Sequence, residues 1–255
     1  MKVVLFCGGR GLRLRELSEA IPKPMVTIGY RPILWHVMRY YAHFGHRDFI
    51  LCLGYRADAI KEYFLRYEEA LSNDFVLTGG GRNVELLSTD THNWRITFVD
   101  AGVHANVGQR LLAARRYLQG EELFCANYAD ALTDAPLPEL VADFARKDKV
   151  AAFLSVRPHY SFHVVSRDPD GLVTGITDVH GTDVWVNGGY FMFRQEIFDY
   201  IREGEDLVEE PFQRLLEEDQ LLAYRYEGFW TAMDTLKDLQ NLQALHEGGA
   251  PPWAP

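Results

Sequence analysis

The run FCGGRGLRLRELSEAIPKPM, residues 6–25, decides how this chain is read. It grows out of Val3-Val4-Leu5-Phe6-Cys7, a β-branched apolar stretch with the length of a buried strand. A strand that ends in glycines exposes backbone N–H groups at its carboxyl end, where open α/β sheets bind anionic ligands. Gly8, Gly9 and Gly11 supply that backbone, and Arg13 and Lys23 bring fixed positive charge to the same place. The glycine spacing is not that of a dinucleotide fingerprint, and no Gly-Lys-Ser/Thr ending makes it a P-loop. Lys23 stands between Pro22 and Pro24, whose rings stiffen the backbone and suit a charge that must point one way. Together these features suggest a nucleoside triphosphate as ligand.

Working outward, the 255 residues are enough for one large α/β domain, and 47% hydrophobic with 24% charged residues is an ordinary globular composition. The formal net charge of −10 argues against a general nucleic-acid binder, so binding a polyanion requires locally concentrated positive charge or a metal. Cys7, Cys52 and Cys125 each sit in an apolar run and form no CxxC pattern, so buried free thiols in a reducing compartment are expected. With no signal peptide and no apolar stretch near the roughly 20 residues that span a bilayer, the expectation is a cytoplasmic protein without a membrane partner.

Strand-like and helix-like runs alternate through the first 145 residues: strands at 49–53, 96–99 and 123–126, and helices at 57–67 and 107–118, with Ile33, Leu34, Val37, Met38, Tyr41 and Phe44 on one helical face. That alternation predicts a parallel sheet covered on both faces. The polar, glycine-rich stretch 78–93 reads as a loop or small hairpin. Beyond it, 150–156, 163–165, 184–186, 190–193 and 222–226 look extended, helices are expected at 195–201, 211–219 and 236–246, and 248–255 reads as an irregular tail. The expected fold is a single Rossmann-like α/β domain over residues 1–255, with a mixed, mostly parallel central sheet flanked by helices.

Gly8-Gly9-Arg10-Gly11-Leu12-Arg13-Leu14 followed by Pro22-Lys23-Pro24-Met25 resembles the signature of the sugar-1-phosphate nucleotidyltransferases. Pro32-Ile33-Leu34-Trp35-His36, Lys61-Glu62-Tyr63-Phe64 and Gly228-Phe229-Trp230 with Met233-Asp234-Thr235-Leu236 are similar to the glucose-1-phosphate cytidylyltransferase branch. The resemblance implies an Mg²⁺-dependent transfer of a nucleotide, CTP for preference, to a phosphorylated small molecule, with a homo-oligomer as a prior. It places the nucleotide against Phe6, Gly8, Gly9, Gly11, Arg13, Lys23, Gly108 and Arg110, mainly in residues 1–145. It makes Arg13, Lys23 and Asp130 catalytic, and Asp130 with Asp234 the metal ligands. In residues 146–247 it assigns the acceptor to His163, Asn187 and Gly188.

Read from the residues alone, Asp130 and Asp234 each follow an extended run, where an aspartate is more often a cap or turn residue than a ligand. Asp134 and Asp238 read as structural or solvated. The departures from the family pattern gather on the acceptor side. Thr177-Asp178-Val179-His180 stands where relatives carry a Glu-Lys-Pro lysine, and Ser161-Phe162-His163 replaces an Arg-aromatic-Gly loop. Leu12 replaces a threonine, and Tyr128-Ala129-Asp130 replaces Tyr-Gly-Asp. His163 or His180 is a candidate for the lost phosphate contact. Two other readings stay open: the same chemistry on a different phosphate or phosphonate acceptor, and a silent nucleotide-binding subunit.

Overall fold

The structure, a computed structural model, describes residues 1–9, 21–158 and 162–254. Gly11, Leu12, Arg13 and Ser161 therefore lie outside the described residues. Seven strands form the central sheet: β1 (Lys2–Phe6), β2 (Asp48–Leu53), β3 (Arg95–Asp100), β4 (Leu123–Asn127), β5 (Ala151–Val156), β6 (Val186–Arg194) and β7 (Leu221–Tyr226). Their spatial order is β7-β5-β6-β4-β1-β2-β3. β1 pairs in parallel with β2 and β4, β2 with β3, and β5 with β7, while β6 runs antiparallel between β4 and β5. The mixed, mostly parallel sheet predicted from sequence is thus observed. The carboxyl ends of β1, β2, β3, β4, β5 and β7 share one edge, where β6 begins.

Alternation along β1 shows how the layers form. Val3, Leu5 and Cys7 enter one buried cluster and Val4 and Phe6 the other, because successive strand residues point to opposite faces. The first face packs on helices α1 (Ile33–His43), α2 (Ala57–Leu65), α4 (Leu137–Lys147) and α6 (Leu236–Glu247), the second on α3 (Val107–Ala114) and α5 (Glu210–Glu217). α4 escaped the sequence reading. Only Leu137 and Phe144 on it are buried, so its apolar signal is thin against Glu139, Asp143, Arg146 and Lys147. The stretch 78–93 does hold a hairpin, Phe75–Thr78 against Asn83–Leu86. A second outer hairpin pairs His163–Arg167 with Val173–Asp178, the latter strand unforeseen because its side chains are mostly exposed. The expected helix at 195–201 shrinks to Ile197–Tyr200, and 184–186 with 190–193 prove to be one strand, β6. The three cysteines are buried and free. Among the described residues, no helix is long and apolar enough to cross a membrane.

The segment after α6 carries no regular structure, yet Trp253 is buried. Its indole N–H donates to His36 Nδ1 at 3.3 Å, and His36 Nε2 bonds the Ile28 carbonyl at 3.1 Å. An indole nitrogen only donates, so Nδ1 must accept and the imidazole must be neutral with its proton on Nε2. Burial pulls the His36 pKa down to about 4, helped by His246 and Arg31 and opposed by the Ile28 carbonyl. The unfolded value near 6.5 lies above the folded one, so the unfolded chain binds the proton first and stability falls as pH drops from about 6.5 to about 4. The loss from this residue alone reaches roughly 3 kcal/mol. Urea midpoints of the wild type and His36→Gln at pH 7.5 and 4.5 check this: the wild type should lose distinctly more stability on acidification than the variant.

Candidate active site

Three distant segments meet on one charge. Lys23 opens the short 3₁₀ turn Lys23–Met25 behind Pro22, and its Nζ donates to Asp130 Oδ2 at 2.6 Å and Asp234 Oδ1 at 2.7 Å. A small ribbon makes this possible. Ala131–Thr133 pairs antiparallel with Trp230–Ala232, and one step further the Met233 N–H donates to the Asp130 carbonyl at 2.9 Å. Asp130 and Asp234 therefore leave the same end of the ribbon. The first follows β4, and the second precedes Thr235, the N-cap of α6. Asp238 completes that cap, accepting from the backbone of Asp234 and Thr235, and Asp134 accepts from the Tyr226 hydroxyl. Both are structural, as expected.

The three side chains are 13–24% exposed. Burial alone pulls the Lys23 ammonium down, but the two carboxylates outweigh it and its pKa rises. Burial pushes the Asp130 carboxyl above its ordinary value against the pull of Lys23. Ala129, between β4 and Asp130, holds a left-handed φ of 63°, a conformation that costs an alanine about 1–2 kcal/mol. Its N–H is tied to Asn127 Oδ1 at 2.7 Å, so the turn that aims Asp130 is fixed from within.

β1 lies beside β4, which brings Cys7 and Gly8 alongside this cluster. Phe6 faces Tyr128 with ring centroids 6.3 Å apart. Gly8 is buried and Gly9 exposed, with nothing among the described residues within 4 Å of where a Cβ would stand on Gly9. A Cβ on Gly8 would come within 2.6–2.8 Å of the Arg110 guanidinium, and one on Gly54 within 2.9–3.1 Å of backbone atoms of Gly8 and Gly102. Arg110 is 8% exposed, forms no ion pair among the described residues, and its Nε lacks a hydrogen-bond partner there. Burial lowers its pKa. A buried guanidinium against a glycine backbone, with no ion pair among the described residues, has the chemistry to accept an anion. Arg110 reaches it from α3, whose start is set by a capping box of Asn106 and Gln109. Gly108 has a packing reason: a Cβ there would sit 2.3 Å from the Glu205 carbonyl oxygen.

On the acceptor side, Asn187 lies on β6 and donates to the Tyr128 hydroxyl at 3.4 Å. Its Oδ1 accepts from the Gly189 N–H at 2.9 Å, and the Trp230 indole donates to the Gly188 carbonyl at 2.8 Å. The Tyr128 ring occupies the space a Cβ on Gly189 would need, 2.5 Å away. His163 is exposed at the start of the outer hairpin, opposite Asp178. The sequence reading missed Tyr128 and Gly54 as parts of the site, although Gly54 closes a strand as Gly8 does. Replacing Lys23 would leave two half-buried carboxylates facing each other. Lys23→Met should cost roughly 2 kcal/mol at pH 7.5, measured by urea unfolding, with the gap to wild type closing as pH falls toward about 4 and a carboxyl takes up a proton.

The nucleotidyl transferase family profile matches residues 2–247. The chain is 36% identical to a probable glucose-1-phosphate cytidylyltransferase of Bacillus subtilis, covering 99% of both chains, and 33% identical to the glucose-1-phosphate cytidylyltransferase of Salmonella typhi, covering 99% of this chain and 98% of that one. It is 27% identical to the mannose-1-phosphate guanyltransferase of Candida albicans, covering 96% of this chain and 64% of the other. The crystal structure of HddC from Yersinia pseudotuberculosis superposes with a TM-score of 0.66 at 19% identity, covering 95% of this chain and 98% of that one, which shows a shared fold. With the match running the length of the chain and through the residues just described, this protein is a member of the nucleotidyl transferase family.

Proposed function

We propose that the protein transfers a nucleotide from CTP to a sugar 1-phosphate, releasing pyrophosphate. The observation that carries this reading is the convergence of Lys23, Asp130 and Asp234 beside the Gly8 backbone and the Arg110 guanidinium. CTP is favoured because relatives at 33–36% identity over almost the whole chain are named as cytidylyltransferases.

In this reading the Gly8–Gly9 backbone and Arg110 hold the triphosphate, with Gly11 and Arg13 extending the cradle and Arg13 neutralising the leaving pyrophosphate. An acceptor phosphate oxygen attacks the α-phosphorus in line. One P–O bond forms, the bond to the β-phosphate breaks, and its electrons leave with pyrophosphate. Lys23 bears on the α-phosphate and the incoming acceptor. No covalent enzyme intermediate is needed, since positioning and charge neutralisation supply most of the catalysis.

The donor set fits a hard divalent cation. Two carboxylates already converge on one positive charge, and Mg²⁺ is held by one or two carboxylates together with phosphate oxygens and water. Among the described residues no group of three or more His, Cys, Asp or Glu forms a complete cage, in keeping with a site that substrate completes. Asp130 and Asp234 would hold Mg²⁺, which when bound supplies charge neutralisation at the reacting phosphates. Asn187 and Gly188, fixed by Tyr128 and Trp230, face the sugar in this scheme.

A pyrophosphate-release assay over four nucleoside triphosphates and a panel of sugar 1-phosphates tests the proposal, with CTP and a hexose 1-phosphate expected to lead. Asp130→Asn should lower turnover about a thousandfold, the several kcal/mol a metal-held phosphate is worth, with the fold intact by circular dichroism. Nucleotide binding without turnover on any acceptor would instead identify a silent binding subunit.

A further inference from the structure

We propose that Arg157, stacked on Trp185 and seconded by Arg225, binds the phosphate of the acceptor. The inference rests on the transferase reading and names the group that receives the second substrate. Two polyanions must meet in this reaction, and Lys23 is already shared between two carboxylates. The acceptor phosphate therefore needs a cation of its own near Asn187.

Strand register shows where one stands. Ser155 on β5 lies opposite Asn187 on β6 and opposite Arg225 on β7. Side chains repeat every second residue on a strand face, so Arg157, just past β5, and Trp185, just before β6, continue that row at the carboxyl edge. Phe153 and Phe191, further along the same face, pack with the cluster holding Phe6 and Leu111, so Arg157 and Arg110 belong to one side of the sheet. Asn187 links this row through the Tyr128 hydroxyl to the turn carrying Asp130.

The arginines are oriented and only loosely paired. The Arg157 guanidinium lies 4.6 Å and that of Arg225 5.0 Å from the Trp185 ring centroid. Arg157 also donates to the Thr182 carbonyl, which fixes its plane. Their acidic neighbours stand at the outer limit of an ion pair. Arg157 Nη2 is 3.8 Å from Glu227 and Arg225 Nη2 is 3.9 Å from Asp183, and these acids are 74% and 76% exposed. Such pairs are screened by solvent and hold little of the cationic charge. Two guanidiniums on one indole repel each other, and an anion bridging them would relieve that repulsion. A phosphate dianion matches the planar fork that Arg157, one-third exposed, presents.

Steady-state kinetics of the full chain with CTP and glucose 1-phosphate test this. Arg157→Met should raise the acceptor KM at least about tenfold and leave the CTP KM within about twofold, the signature of a lost charge-assisted contact to one substrate. Arg225→Met should raise it by less. Arg157→Lys should recover part of the loss, and Trp185→Leu, which keeps both charges but frees their planes, should fall between. Urea midpoints near that of the wild type confirm that the variants fold. If Arg157→Met does not fold, the acceptor KM values of Arg157→Lys and Trp185→Leu decide. An unchanged acceptor KM in a folded variant, or equal rises for both substrates, overturns the proposal while sparing the transferase reading. A wild type that turns over no acceptor overturns both.

Discussion

Much of this structure is arranged around one ammonium held between two carboxylates. Lys23 joins Asp130 and Asp234 across 107 and 211 residues of chain. Two aspartates this close and this far from water would not stay ionised together without the lysine or a substitute cation. The cluster therefore demands rigid delivery from three directions. Proline fixes the backbone before Lys23, a strained turn fixes Asp130, and a capped helix fixes Asp234. Its formal charge is −1, so it is not itself an anion trap. In the proposed reading, the positive potential for a polyphosphate comes from its flank, where Arg110 lies against Gly8.

The sheet explains why these parts meet. Six of the seven strands end at one edge, and a parallel sheet leaves its loops and helix starts there. Both faces are covered, so the edge is the place where backbone amides and charged side chains can reach a ligand. Glycines set how closely the loops stack: Gly54 lets the β2 loop rest on Gly8, and Gly189 lets Tyr128 lie across β6. Each is a position where a methyl group would push backbone or ring out of place.

What was legible in the sequence follows from the strength of local signals. β1, β2 and β4 are continuous apolar runs because both their faces are buried, and such runs stand out. Short motifs and the family resemblance single out Lys23, Asp130 and Asp234, but nothing local says that all three touch, since that depends on a three-residue ribbon pairing residues about 100 apart. α4 and the outer hairpins were blurred or missed for the opposite reason, having few buried side chains to leave a pattern. Arg157 and Trp185 look unremarkable in sequence. Strand register alone makes them neighbours of Asn187, and register is a long-range property.

The bond between Trp253 and His36 also has a meaning in time. His36 sits in the first long helix and waits for a partner 217 residues later. At the usual 5–20 residues per second, a ribosome takes roughly 10–40 s to make that intervening chain. Throughout that interval the donor to His36 Nδ1 does not yet exist. Closure of this corner thus waits until Trp253 has been made.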